Sequence, residues 1–369
     1  MRIELAEKLL VKIMEWTAEE VSKERPLLQA LANFKFDEYQ QFSPGIRFIE
    51  SLAQWLNQFE TIDYRRVAYN FVKTHLIFIS NNQISQLVNL SYSTLIKSIL
   101  VSKVANAQKT NRYHVKFIVD SDSYKSMVRQ SLFVGLSDGS RIDQLRRFAQ
   151  LNNEQVLTSY FIDDEKIDEL KKELDNDHYP CQFSTIFLID DFTASGTSYA
   201  RYDDSGVAKG KILRFLHKLY STEGEDTPSL LPSLFNLEAL SIHIIFYIAT
   251  EDALNKISSD IKTFLDKNKL NLSFTVEAVQ HISNNVKESI LSDVNLMDFI
   301  SQPQHFDDSI VDKHYMMGGI TNMPFLGFNE CALPLVLNHN TPNNSLPIIW
   351  FSEEKKIKGL FPRITRHKE

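Results

Sequence analysis

Two adjacent carboxylates followed by a run of small and hydroxyl residues are the part of this chain best equipped for chemistry. They are Asp190 and Asp191, then Thr193, Ala194, Ser195, Gly196, Thr197 and Ser198. Neighbouring carboxylates accept hydrogen bonds and stabilise developing positive charge. A small, hydroxyl-rich turn leading into a helix offers backbone N–H groups to a phosphate, and the helix N-terminus favours its charge. The preceding Ile186, Phe187, Leu188 and Ile189 do not alternate with polar residues, so Thr185 to Ile189 predicts a strand buried on both faces. Ligands of open α/β sheets bind just beyond the carboxyl ends of strands. An apolar strand ending in two aspartates also fits a Walker B element or a solvated acidic turn. No G-x-x-x-x-G-K-[ST] occurs anywhere in the chain, which counts against a P-loop ATPase.

The elements that must position these residues follow from periodicity. Residues 1–108 read as helices: Ile3, Ala6, Leu9, Leu10, Ile13 and Trp16 recur at helical spacing, and Ser43-Pro44 predicts a helix start ahead of Phe48, Ile49, Leu52, Leu56 and Phe59. Lys109 to His114 is a polar link. From Val115 short apolar runs alternate with helices, which predicts a parallel sheet. Strands are expected at 115–119, 132–135, 156–161, 185–189, 242–248 and 272–279, and helices at 142–151, 165–176, 209–220 and 251–264. The run from Gly135 through Ser137, Asp138, Gly139 and Ser140 to Arg141 joins a strand to a helix, with Asp138 or Ser140 placed to cap it. The acidic stretch after Phe161 reads as one exposed helix, Tyr202 to Gly206 as a tight turn, and Glu223 to Pro232 as a flexible loop. Asp120-Ser-Asp122 mimics the D-x-D start of a haloacid-dehalogenase phosphatase, but the Gly-Thr loop after Asp191 is foreign to that class. Near the end, a strand enters the polar loop His339-Asn340-Thr-Pro-Asn343-Asn344 before an apolar exit. Asn and Pro predict a turn there, yet the side chains supply many donors and acceptors for a base or sugar.

With 369 residues, 43% of them hydrophobic and 24% charged, the chain can bury a large core. A net charge of −7 counts against direct, sequence-independent nucleic-acid binding without excluding a local basic patch. Two cysteines, Cys181 and Cys331, make neither a disulfide framework nor a zinc site, so a reducing cytoplasm is expected. Arg2, Glu4, Glu7 and Lys8 interrupt the first apolar positions, so no signal peptide is expected, and no apolar run approaches membrane-spanning length.

The stretch of four apolar residues, two acids and a loop ending in Gly-Thr resembles the phosphoribosyl-diphosphate (PRPP) motif of type I phosphoribosyltransferases. The resemblance implies that Asp190 and Asp191 accept from the ribose hydroxyls and that residues 193–198 wrap the 5′-phosphate. Ala194 stands where several purine-salvage members carry an acidic residue that acts on the base, and the loop pattern is nearest the orotate type. A loop at the position of Ser137, Gly139, Ser140 and Arg141 contacts pyrophosphate in such enzymes, and a mobile hood falls between Phe161 and Thr185. Residues 44–56, 187–198 and the His339–Asn344 loop together resemble the PRTase-CE family, phosphoribosyltransferase-like proteins of prokaryotic conflict and antiphage gene neighbourhoods.

The expected architecture is therefore an α/β fold with a type I phosphoribosyltransferase-like parallel sheet. A helical region (1–108) precedes an α/β core (115–285), and an extension (286–369) brings the His339–Asn344 loop, with His339 as a candidate acid or base. One functional reading is enzymatic: PRPP with Mg²⁺, or a nucleotide, is cleaved or transferred at ribose C1′ through an oxocarbenium-like sugar. Mg²⁺ would bridge ligand oxygens, with no direct protein cage. A second reading is a non-catalytic sensor of PRPP or a nucleotide that regulates a protein partner encoded nearby. A third is an effector whose helical region docks on a nucleoprotein partner.

Overall fold

The computed structural model describes residues 3–158, 164–176, 182–220, 231–316, 319, 322–352 and 354–364. They form two compact units: 85–282 is one, while 1–84 and 283–369 together make the other. The segments expected as an N-terminal region and a C-terminal extension thus share a core, and the helices of 85–108 go with the sheet.

The α/β unit contains five parallel strands: β1 (Ser131–Gly135), β2 (Val156–Thr158), β3 (Thr185–Thr193), β4 (Ser241–Thr250) and β5 (Ser273–Ile282). Their order is β2-β1-β3-β4-β5. Helices Ile142–Ala149, Asp164–Asn176, Lys211–Tyr220 and Glu251–Lys267 fall in the successive crossovers. Leu132, Val134, Ile186, Leu188, Ile242, Ile244 and Phe246 are all buried in the core of this unit. β1 and β3 are spatial neighbours whose onward connections lead to opposite sides of the sheet, which makes the gap beyond their carboxyl ends the topological switch point.

β3 runs four residues past its expected end at Ile189. The reason is pairing: Asp190, Phe192 and Thr193 continue the ladder with Phe246, Ile248 and Ala249 of β4. On the other side β1 stops at Gly135, opposite Ile189. Asp190 to Thr193 therefore pass beyond the last β1 pair, and the loop after Gly135 folds in beside them.

Other expectations need correction. Val115–Val119 is a short helix, with only Ile118 inside, followed by a second helix, Asp122–Arg129, that leads into β1. Asp120-Ser-Asp122 is consequently a helix junction: Ser121 caps the second helix through the Tyr124 N–H, so no strand precedes a D-x-D site. Ser43 to Ile46 is a turn closed by the Ile46 N–H to the Ser43 carbonyl at 3.0 Å. The helix itself starts at Phe48, whose N–H meets Asp37 Oδ1 at 2.9 Å. The acidic helix Asp164–Asn176 buries Ile167 and Leu170 in the sheet's core. Residues 159–161 of an expected strand, most of the Glu223–Pro232 loop, and Cys181 lie outside the described residues.

The second unit is mainly helical. Phe48, Trp55, Phe59, Phe299, Phe351 and Phe361 fill its core, and Ile77–Ile79 pairs in parallel with Leu335–Leu337.

Candidate functional site

Two loops meet at the switch point. After β1, Leu136 donates its N–H to the Ile189 carbonyl at 2.8 Å, and Asp138–Ser140 makes one tight helical turn. Gly139 lies so close to the second acid that a Cβ there would stand 2.7 Å from Asp191 Cγ. Gly135 likewise leaves room for Ser140, and the Tyr247 hydroxyl on β4 donates to the Ser140 carbonyl. Burial, then the charges of Asp190 and Asp191, hold the Tyr247 phenol far above its ordinary range, so it remains a donor.

After β3, residues 194–198 turn into the segment leading to the next helix. Thr193 Oγ1 accepts the Gly196 N–H at 3.3 Å, and Ser195 Oγ accepts the Thr197 N–H at 3.4 Å. Gly196 has φ +72°, which strains any larger residue, and a Cβ there would stand a tight 3.1 Å from the Ala253 carbonyl oxygen and from the Ile257 side chain. Thr250 pins the loop to the helix after β4, Glu251–Lys267, donating to the Ala194 carbonyl at 2.6 Å while capping the Ala253 N–H at 3.1 Å. Thr193, Ala194, Ser195 and Thr197 are buried, whereas Ser198 is exposed. Thr197 Oγ1 is a buried hydroxyl oxygen with no hydrogen-bond partner among the described residues.

The two acids have different surroundings. Asp190 is fully buried: Ser137 Oγ donates to Oδ1, Tyr199 Oη to Oδ2 at 2.8 Å and Lys211 Nζ to Oδ2 at 3.0 Å. The Asp191 N–H adds a further donor to Oδ1 at 3.1 Å. Burial and then the Asp191 charge raise its carboxyl pKa, against the pull of Lys211 and Ser137. Asp191 is half-buried and faces Gly139 and the Arg141 guanidinium. Arg141 takes a left-handed conformation at φ 45°, and burial lowers its pKa while the Asp191 charge opposes that shift.

Sequence reasoning missed Lys211, Tyr199, Tyr247 and Thr250. Lys211 reaches Asp190 because Gly210, at φ +100°, lets the Tyr199 carbonyl lie against its backbone. The Lys211 N–H then meets the Ser198 carbonyl at 3.1 Å, and its ammonium stands 4.9 Å from the Tyr199 ring centre. A glycine before a lysine at a helix start was the available signal.

Ser137, Gly139, Ser140 and Arg141 thus join Asp190, Asp191 and residues 193–198 in one place. His339, Asn340, Asn343 and Asn344 belong to the other compact unit. There Asn340 Nδ2 donates to the Ile364 carbonyl at 3.2 Å and Asn344 Nδ2 to the Phe328 carbonyl at 3.2 Å. The Asn343 carbonyl accepts from Phe328 at 2.8 Å, and the His339 carbonyl from Gln41 at 2.6 Å.

A parallel five-stranded sheet in this order, with an acidic pair and a Gly-Thr loop at its switch point, defines a phosphoribosyltransferase-like α/β protein. The PRTase-CE family model matches residues 52–363, and the chain belongs to that family. No curated protein and no solved structure matches it. No described helix is long and apolar enough to cross a membrane.

Proposed function

We propose that the crevice beyond β1 and β3 binds PRPP or a nucleotide and breaks or transfers the bond at ribose C1′. The observation that carries this reading is the packing of Gly139 against Asp191, which brings the two loops onto one carboxylate. Asp191 accepts from the ribose hydroxyls, and the 194–198 loop faces the 5′-phosphate, for which Thr197 Oγ1 is a spare hydroxyl. Ser140 and Arg141 lie toward the pyrophosphate. Asp190 acts from behind: with Lys211, Tyr199 and Ser137 already on its oxygens, it positions Asp191 and the loop. As the bond from C1′ to the leaving group lengthens, the electron pair leaves with that group and the sugar becomes cationic, so the Asp191 charge favours the transition state.

Among the described residues no group of three or more His, Cys, Asp or Glu side chains is placed to hold a metal ion. One half-buried carboxylate at the crevice suits an ion carried mostly by ligand oxygens. Mg²⁺ would thus enter with PRPP, held by Asp191 and the ligand, and would neutralise the departing pyrophosphate. The biological setting we propose is antiphage or conflict defence in a prokaryotic cytoplasm, tested by phage challenge of cells carrying wild-type or Asp191→Asn protein.

A second reading, a sensor that regulates a protein partner without chemistry, is favoured by the saturation of Asp190 and by the internal hydrogen bonds of Gly196 and Thr197. Incubation with PRPP plus Mg²⁺, and separately with nucleotides, distinguishes the two. Released pyrophosphate or free base supports the enzyme, whereas a thermal shift without product supports the sensor. Asp191→Asn should abolish the ligand-induced shift while leaving the unliganded melting temperature nearly unchanged. An undiminished shift in that variant would refute the site.

A further inference from the structure

The segment from Lys109 to Phe117 contains three cations, Lys109, Arg112 and Lys116, with no carboxylate, in a chain whose net charge is −7. Its rings are in water: Tyr113 is 74% exposed and Phe117 66%, with Val115 between them at 43%. A large apolar ring is ordinarily drawn into a core, and here the core takes only Ile118.

The exposed rings stand on an ordered turn. Lys109 adopts φ 52°, the Thr110 N–H meets the Ala105 carbonyl at 2.9 Å, and the His114 N–H meets the Asn111 carbonyl at 3.0 Å. Asn111 Oδ1 accepts the Tyr113 N–H at 3.0 Å. Arg112 lies 5.0 Å over the Tyr113 ring and donates to its hydroxyl at 3.1 Å, so a cation and an aromatic face are presented together. The next acids along the chain are Asp120 and Asp122, beyond the last ring, and Asp122 is paired with Lys125 at 3.2 Å.

The location also separates this face from the crevice. The preceding helical run passes Ser85, whose carbonyl meets Gln144 in the helix after β1, and reaches Lys103, which bonds the first residues of β3 and β4. The segment therefore continues past the amino ends of the strands, opposite the switch point.

We propose that Lys109–Phe117 is a docking surface for single-stranded nucleic acid. Alternating cations and exposed rings match a strand's alternation of phosphates and unstacked bases, whereas a duplex hides the base faces that such rings need. A partner recognised by charge alone would leave Tyr113 and Phe117 without a role.

The test uses the full chain and fluorescence anisotropy with short labelled oligothymidylate and oligouridylate. Binding should weaken with added salt, with a log–log slope of about −2 for three phosphate contacts. Arg112→Ala with Lys116→Ala should make that slope shallower by about 1.4. Tyr113→Ala with Phe117→Ala should weaken binding roughly tenfold or more while leaving the salt slope in place. All four side chains are exposed, so circular dichroism and melting should match wild type. Absence of binding to both oligonucleotides at about 50 mM salt overturns the proposal. Binding that ignores ring removal overturns it too. If the ring variant instead abolishes self-association of a chain that binds neither oligonucleotide, the face is a contact between copies and the proposal falls.

Discussion

β3 and β4 meet a charge at each end of the sheet, fully buried at one end and half-buried at the other, and the two charges have different partners. At the carboxyl end, Asp190 has an ammonium, a phenol, a serine hydroxyl and a backbone N–H on its oxygens. At the amino end, Lys103 Nζ meets Thr185 Oγ1 at 2.5 Å and Ser241 Oγ at 2.7 Å. Its hydrogen-bond partners among the described residues are hydroxyls alone. Ser241 Oγ lies 3.2 Å from His243 Nε2, and His243 Nδ1 lies 2.9 Å from Thr275 Oγ1. A hydroxyl solvates an ammonium without cancelling its charge, so burial brings Lys103 down to about 8, and burial with the Lys103 charge brings His243 down to about 4. The candidate site sets a counterion against a burial that still raises the Asp190 pKa, whereas the far end offers its ammonium hydroxyls and no counterion among its described hydrogen-bond partners.

The largest effect should come from breaking the compensated end. Asp190→Ala takes the carboxylate away from Lys211 and Ser137, while Tyr199 keeps the Phe192 carbonyl at 3.0 Å, and removing one partner of a buried pair costs about 3–5 kcal/mol. Urea unfolding should register this as a lower midpoint at unchanged slope. A loss under about 1 kcal/mol would mean that the pairing with Lys211 contributes little beyond an exposed ion pair. Gly139→Ala comes next: its methyl group must displace the Asp191 carboxylate, at an overpacking cost of about 1–3 kcal/mol. Because the proposed reading puts the ribose hydroxyls on that carboxylate, the PRPP-induced thermal shift should shrink more in this variant than in Ser198→Ala, whose side chain is exposed.

These two residues also mark what was legible beforehand. Asp190, Asp191 and Gly196 stand out because an unbroken apolar run closed by two acids reads as a buried strand, and a glycine among hydroxyls reads as a tight bend. Gly139 sat in an ordinary turn motif, and nothing local tells which atom needs its missing Cβ. Lys211 lies twenty-one residues from Asp190, and their contact depends on the turn at Gly210. The end of β3 was set too early because only its partner β4 carries the ladder to Thr193. Val115–Val119 misled for the converse reason. A β-branched and aromatic run favours a strand, but no strand among the described residues pairs with it, and the backbone closes on itself with the Ile118 N–H to the His114 carbonyl at 3.0 Å.

The uncompensated end is tested through pH. Lys103 has an ordinary value of 10.5 when unfolded and about 8 when folded, so between these the unfolded chain holds a proton that the folded chain has released. Stability should therefore rise as pH climbs from about 8 toward 10.5, the burial cost being complete below that window and absent above it. His243 gives the same sign at lower pH. Its shift from 6.5 to about 4 makes stability fall as pH drops through that interval, because the unfolded imidazole is protonated first. Lys103→Met should remove the alkaline rise and, by lifting the positive charge from His243, narrow the acid fall. Melting curves across both windows for wild type, Lys103→Met and His243→Asn check this. An alkaline rise that survives in Lys103→Met would assign it to another group and erase the contrast between the two ends of the sheet.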